Sequence, residues 1–202
     1  MKGFTDEERD RIERELREAG RELFANFGLE RTRISDITDE VGIGTSTFYQ
    51  FYDSKAELYL DVIYDEVTQI GDDVADEIAD AESLEEEIRR TLRLLFRKLE
   101  TNDLLYQVLV EDDGQRLRNQ LDADVQKRHH ENKYRTLGPL VERWTENERF
   151  RADDPEVALD MLGAVPQFVA HRRQFDALDR NDAYEPAREL LVETLTDGLI
   201  LD

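Results

Sequence analysis

Apolar residues recur at three- and four-residue spacings along almost the whole chain, and no stretch alternates with period two. The pattern therefore predicts helices throughout and no sheet. Thr5-Asp-Glu-Glu8 reads as a capping box, opening a helix with Ile12, Leu16, Ala19, Leu23, Phe24 and Phe27 on one stripe and Gly28 as its C-terminal cap. Two short helices are expected next, over about 34–41 and about 45–51. Ser54-Lys-Ala-Glu57 opens a long helix striped by Leu58, Val62, Ile63, Val67, Ile70, Val74 and Ile78. Ser83-Leu-Glu-Glu86 opens another, with Ile88, Leu92, Leu95, Phe96 and Leu99.

A short apolar helix is expected from Asp103 to about Glu111. A long polar one is expected from Gln115 to about Trp144, broken or kinked at Gly138-Pro139. Asp154-Pro155 places an N-cap before a proline at the first helical position. That helix carries Val157, Met161, Leu162, Val165, Phe168 and Val169, with a kink expected at Pro166. The last helix, from about Glu185, carries Leu190, Leu191, Leu195 and Leu199. The expected fold is all-α, with about nine helices. A three-helix domain over 1–53 precedes a larger regulatory and dimerisation bundle over 54–202, and the fourth helix couples the two mechanically.

The segment from Arg31 to Lys55 carries the functional signal. Ile34, Ile37 and Val41 give the first short helix an apolar face, Gly42 supplies a tight reversal, and Ile43 and Phe48 turn back to the core. A short helix, a glycine turn and a second short helix make a helix-turn-helix, whose second helix enters the major groove of DNA. The solvent side of that second helix is Thr45, Ser46, Thr47, Tyr49 and Gln50, which can donate to phosphates and touch base edges.

Charge changes the picture. The formal net charge is −22, which on its own argues against a nucleic-acid partner. Yet no Asp or Glu occurs from Val41 to Tyr52, although the chain has 49 of them. Arg31, Arg33 and Lys55 flank this acid-free window. The 27 basic residues are 5 Lys and 22 Arg. An acid-rich, lysine-poor, cysteine-free composition resembles that of proteins from salt-loving organisms, where in molar salt the Debye length falls to about 3 Å and repulsion from DNA is screened; the alternative is an acidic mesophilic protein with solvated helix faces. Without Cys there are no disulfides and no thiolate ligands. No apolar run is long enough to cross a membrane, and no signal core opens the sequence, so a cytoplasmic protein is expected.

The stretch resembles the TetR family of regulators. Phe24 and Gly28, Thr32, Asp36-Ile37, Gly42-Ile43, Thr47-Phe48-Tyr49, and Ser54-Lys55 with Leu58 stand at that family's motif positions, covering roughly the first 65 residues. Arg33 stands where the family usually has Ser or Thr, Thr38 where it has Ala, Gly44 where it has Ser, and Ser46 where it has Gly or Ala. The resemblance implies that Thr47, Tyr49 and Lys55 hold phosphates, with Arg33 as a further phosphate donor. Thr45, Ser46 and Gln50 are the candidates for base reading. It implies a ligand-responsive repressor binding a palindromic operator as a homodimer. The seam candidates are Met161, Leu162, Val165, Leu191, Leu195 and Leu199. It also implies a central pocket for a small apolar or aromatic effector, with Phe96, Tyr106, Trp144, Met161, Phe168 and His171 as candidates.

No catalytic constellation is expected, and the reading is not that of an enzyme. No metal site and no cofactor are expected, since His129 and His130 beside Glu131 point to different faces of a helix. The alternative is an interaction or ligand-sensing protein that keeps the fold without binding an operator, a reading prompted by the net charge.

Overall fold

Thr5 opens α1 (Asp6–Arg31) as expected: its hydroxyl accepts from Glu8 N, and the Glu8 carboxylate accepts from Thr5 N. The computed structural model describes residues 4–109, 136–172, 175, 179 and 181–201. Gly28 breaks the helix where its end was expected: it takes a positive φ of 73°, and only a last turn, from the buried Leu29 to Arg31, continues beyond it. Phe27, expected on the apolar stripe, is 52% exposed.

Two short helices follow, α2 (Ile34–Val41) and α3 (Thr45–Phe48), then α4 (Lys55–Glu77) and α5 (Leu84–Thr101). Ser54 and Ser83 cap the last two by accepting from Glu57 N and Glu86 N. Their glutamates reach one residue further back than a capping box requires, to Asp53 N and Glu82 N. Asn102 ends α5 and caps α6 (Asp103–Leu109) through Leu105 N. The stretch 136–145 forms α7, helical through Gly138 and Pro139 without the expected break.

Asp154 caps α8 (Pro155–Leu162), and Pro155 sits in its first turn. The expected single helix is instead two: Gly163 and Ala164 interrupt it, and α9 (Val165–Ala170) begins with Pro166 in its first turn. The last helix, α10 (Asn181–Leu199), starts four residues earlier than the pattern implied and continues through Pro186. Among the described residues the architecture is all-helical, with one isolated antiparallel bridge between Phe150 and Ile200. No described helix is long and apolar enough to cross a membrane. His129, His130, Glu131 and most of the polar stretch from Gln115 lie outside the described residues.

Two cores share α4. Its first half, Ala56 to Ile63, packs with Ile12, Leu16, Phe24, Ile37 and Phe48 in a head core. Its second half, with Ile70, Val74 and the C-cap Ile78, packs with Leu92, Phe96, Trp144 and Val192 in a body core. One rigid rod thus belongs to both units. Gly20 marks the tightest crossing of α1 on α4, where a Cβ would stand 3.2 Å from the Leu58 side chain. At the junction, the Glu66 carboxylate of α4 takes hydrogen bonds from Arg21 of α1 and Asn102 at the end of α5. Gln107 of α6 donates to Ala25 O of α1 at 2.8 Å.

Arginines tie the body together. Arg89 and Arg93 of α5 hold Glu193 of α10, each at 3.0 Å. Arg188 of α10 holds Glu100 at 2.8 Å, and the Tyr184 hydroxyl donates to the same carboxylate. Arg149 and Arg143 hold Glu85 and Glu87 in the first turn of α5. The helix N-terminus also favours those acids, and the backbone hydrogen bonds there hold the Glu85 carboxyl below its usual range.

Candidate nucleic-acid interface and internal cavity

The turn between α2 and α3 is built as the sequence demands. Gly42 adopts φ 74° and ψ 30°, the left-handed region that a side chain resists. Its N–H returns to Asp39 O, and Ile43 N donates to Thr38 O at 3.0 Å, closing the reversal. A Cβ at Gly42 would meet nothing within 4 Å. Gly42→Ala should therefore cost only the backbone strain, about 1–2 kcal/mol. Gly42→Asn should cost less, because Asn tolerates this conformation. A urea denaturation series of the three proteins checks the order.

α2 is held by Asp36, whose carboxylate accepts from Arg33 N at 3.0 Å. Thr38 is buried and donates its hydroxyl to Ser35 O at 3.1 Å, so the extra polar atom at this position is satisfied. Thr32 is buried too, donating to Gly28 O at 2.8 Å and so sealing the break in α1.

α3 is shorter than expected. Gly44 O accepts from Thr47 N and Phe48 N, and the α-helix stops at Phe48. Tyr49 to Phe51 continue as tighter turns, with Gln50 N bonded to Thr47 O and Phe51 N to Phe48 O, each at 2.9 Å. Phe48 and Tyr52 go to the core, as a hydrophobic anchor for the reading segment. Burial and the nearby Asp61 carboxylate hold the Tyr52 phenol well above its usual pKa, so it stays neutral.

The outward residues form one face. Thr45, Ser46, Gln50 and Arg33 are exposed, Thr47 is half-buried, and Tyr49 is 54% exposed, its ring edge-on to Phe48. Arg31 and Arg33 are exposed and hold no carboxylate among the described residues, unlike the paired arginines of the body. Lys55 is half-buried, and its ammonium donates to Thr32 O at 2.6 Å, tying the end of α1 to the start of α4.

Sequence reasoning missed Arg9. Its guanidinium lies 4.8 Å from the centroid of the Phe51 ring and donates to Gln50 O at 3.3 Å, steadying the end of the reading segment from α1. Phe4 packs on Phe51 from the same side, with ring centroids 6.1 Å apart. Nothing in the local pattern separates Arg9 from the other charged residues around it, because the contact spans 41 positions. The structure also brings the acidic first turn of α1 near the window that is acid-free in sequence.

Residues 16–62 match the family model described as bacterial regulatory proteins, tetR family. A TetR-family transcriptional regulator from Syntrophomonas wolfei, described as putative, superposes with a TM-score of 0.71 at 18% identity, covering 96% of this chain and 98% of its own. The chain has the TetR fold. RolR in complex with resorcinol superposes at 0.66 and 20% identity, over 96% of this chain and 95% of that one. The fatty acid degradation regulator FadR from Bacillus halodurans gives 0.64 at 18%, over 95% and 97%. No curated protein matches the chain in sequence. The TetR-type head thus spans α1 to the first half of α4, and its helix-turn-helix is the one built around Gly42.

In the body of this TetR fold, a cavity of about 300 Å³ lies between α4, α5, α6, α7, α8 and α9. None of the six expected effector contacts is among its described lining residues. Trp144 is fully buried and donates Nε1–H to Glu87 at 3.1 Å, while its ring packs near Phe150. Phe96 is fully buried and meets Phe168 edge-on. Tyr106 and Met161 pack beside the body core, and His171 is exposed against Gln167 O. These large side chains fill space, and the cavity lies where aliphatic ones leave it.

Of the expected seam residues, Leu162 is 4% and Val165 3% exposed, and both line the cavity. Met161, Leu191, Leu195 and Leu199 are half-buried. The outward apolar positions of the same helices are Val157, 58% exposed, and Leu190, 69% exposed.

Proposed function

We propose that this protein is a sequence-specific DNA-binding transcription regulator, acting as a homodimer on a palindromic operator and released from it, as a repressor, by a small-molecule effector. One observation carries the reading: the exposed side of α3 and its following turn bears only hydroxyl, phenol and amide groups, flanked by Arg31 and Arg33, which hold no carboxylate among the described residues. Phosphates are met by such donors and base edges by Thr45, Ser46 and Gln50. Thr47, Tyr49 and Lys55 are assigned to phosphates. Lys55 would exchange its bond to Thr32 O for a phosphate oxygen.

Dimerisation is supported by Val157 and Leu190, exposed apolar residues on α8 and α10, with Leu191, Leu195 and Leu199 beside them. A helix-turn-helix reads two half-sites about one helical turn apart when paired in this way. Effector response is supported by the cavity, by α4 and α6 serving both cores, and by analogy with the fold relative solved with resorcinol. The composition supports a cytoplasm rich in salt as the working environment.

Selection from a pool of random duplexes tests the whole reading. A two-fold symmetric sequence should be enriched and should bind two chains per site. Failure to enrich any duplex at any salt concentration would favour a protein that keeps the fold and senses ligands without an operator.

A further inference from the structure

The body cavity has a chemical character that the general reading leaves open. In a chain with 38% charged residues, none of its described lining residues is Asp, Glu, Lys, Arg or His. Aliphatic side chains, among them Val67, Ile70, Leu95, Leu99, Leu105 and Leu159, make most of the described wall, and Tyr64 is the one aromatic residue among those described. Against these described residues a charged ligand would lose its water without gaining a counter-ion, which is strongly unfavourable.

The wall is not wholly apolar. Gly163 lines it and has only backbone to offer. It lies at the break between α8 and α9, where helical bonds are missing. Pro166 has no N–H, so Leu162 O lacks the donor from four residues on. Gln167 N turns to Ala164 O at 3.0 Å, so Gly163 O lacks its usual donor too. The break therefore leaves two backbone carbonyls without their helical donors, in residues that line the wall.

We infer that the effector is a neutral, largely aliphatic molecule that bears a hydrogen-bond donor, such as an alcohol or primary amide, and carries no ionised group. The inference rests on the proposed effector response and narrows it to a class. The small volume, about 300 Å³, sits at the lower end of ligand cavities. It suits a short chain or a compact ring rather than a long acyl tail.

Three probes of equal chain length test this on the full chain: 1-octanol, octanoate and octylammonium, titrated by calorimetry with thermal melting alongside. 1-Octanol should bind one molecule per chain, at least about tenfold more tightly than either ion. It should lose at least about tenfold in affinity in Leu159→Trp, which fills the cavity, and in Val67→Phe, a milder filling. Octanoate or octylammonium binding as tightly as the alcohol would overturn the proposal. Binding of 1-octanol unchanged in both folded variants would overturn the location, and no binding by any probe would overturn the class. The cation matters because the net charge of −22 alone would favour it. Octanol binding in a chain that enriches no duplex would leave the ligand class standing while the operator reading falls.

Discussion

Tyr49→Ala with Lys55→Ala should lower operator affinity by about a thousandfold. Each chain loses two contacts to phosphate, and a dimer loses four. At about 1 kcal/mol per contact the loss is about 4 kcal/mol, or roughly three powers of ten. The fold should survive. Tyr49 is 54% exposed and touches the core only through the edge of Phe48, so its removal leaves no cavity. Lys55 has a second task, since its ammonium caps the end of α1 through Thr32 O. Its loss should cost about 1 kcal/mol of stability, the worth of a typical hydrogen bond.

Tyr49→Phe separates the effects further. It keeps the ring on Phe48 and removes only the donor, so it should weaken DNA binding without moving the melting temperature. A gel-shift titration of the three variants, with melting curves beside it, reads both quantities. Full operator binding by the folded double variant would refute the assignment of the site.

The head and α5 of the body were largely legible because their signals are local. The Gly42 reversal, the Thr5, Ser54 and Ser83 caps and the stripes of α1, α4 and α5 each depend on residues within a few positions of one another. Gly28 was legible for the same reason: a positive-φ glycine breaks α1, and only the turn from Leu29 to Arg31 lies beyond it. The errors have physical sources. The reading helix looked longer because Phe51 and Tyr52 continue an apolar pattern, while Gln50 and Phe51 bond only three residues back, to Thr47 O and Phe48 O.

The rest of the body was less legible. The helix breaks just before Pro166, where a kink was expected, and the apolar stripe Leu159, Leu162, Val165 and Val169 runs through the break. The pattern marked these positions as apolar but did not tell which neighbour they face, and Leu162 and Val165 line the cavity. The cavity itself has no signature in the sequence. It is an absence of atoms between six helices, and a stripe of aromatics such as Phe96 and Trp144 reports the side chains that fill space.

Salt should act on this protein in the opposite sense from most DNA-binding proteins. A regulator making six to ten phosphate contacts ordinarily loses about 10³ to 10⁵ in affinity between 50 and 200 mM salt, through release of counter-ions. Here each chain brings a net charge of −22 to a polyanion, and the acidic first turn of α1 lies beside the reading segment. At low salt that repulsion opposes approach over long distances. At about 1 M the Debye length is about 3 Å, so distant carboxylates are screened while contacts made at hydrogen-bond range persist.

Operator affinity measured from 0.1 to 2 M KCl should therefore stay within about tenfold or rise. The same additions should raise the melting temperature. The ion pairs lost to screening, such as Arg89–Glu193 and Arg93–Glu193, are partly exposed and contribute about 0–1 kcal/mol each. The repulsion relieved involves most of the 49 acidic residues. A steep conventional fall in affinity would mean that the head's few cations dominate the field and that the acidic body is electrostatically remote from the DNA. Retained affinity with a falling melting temperature would separate the two effects, assigning the salt response to the interface alone.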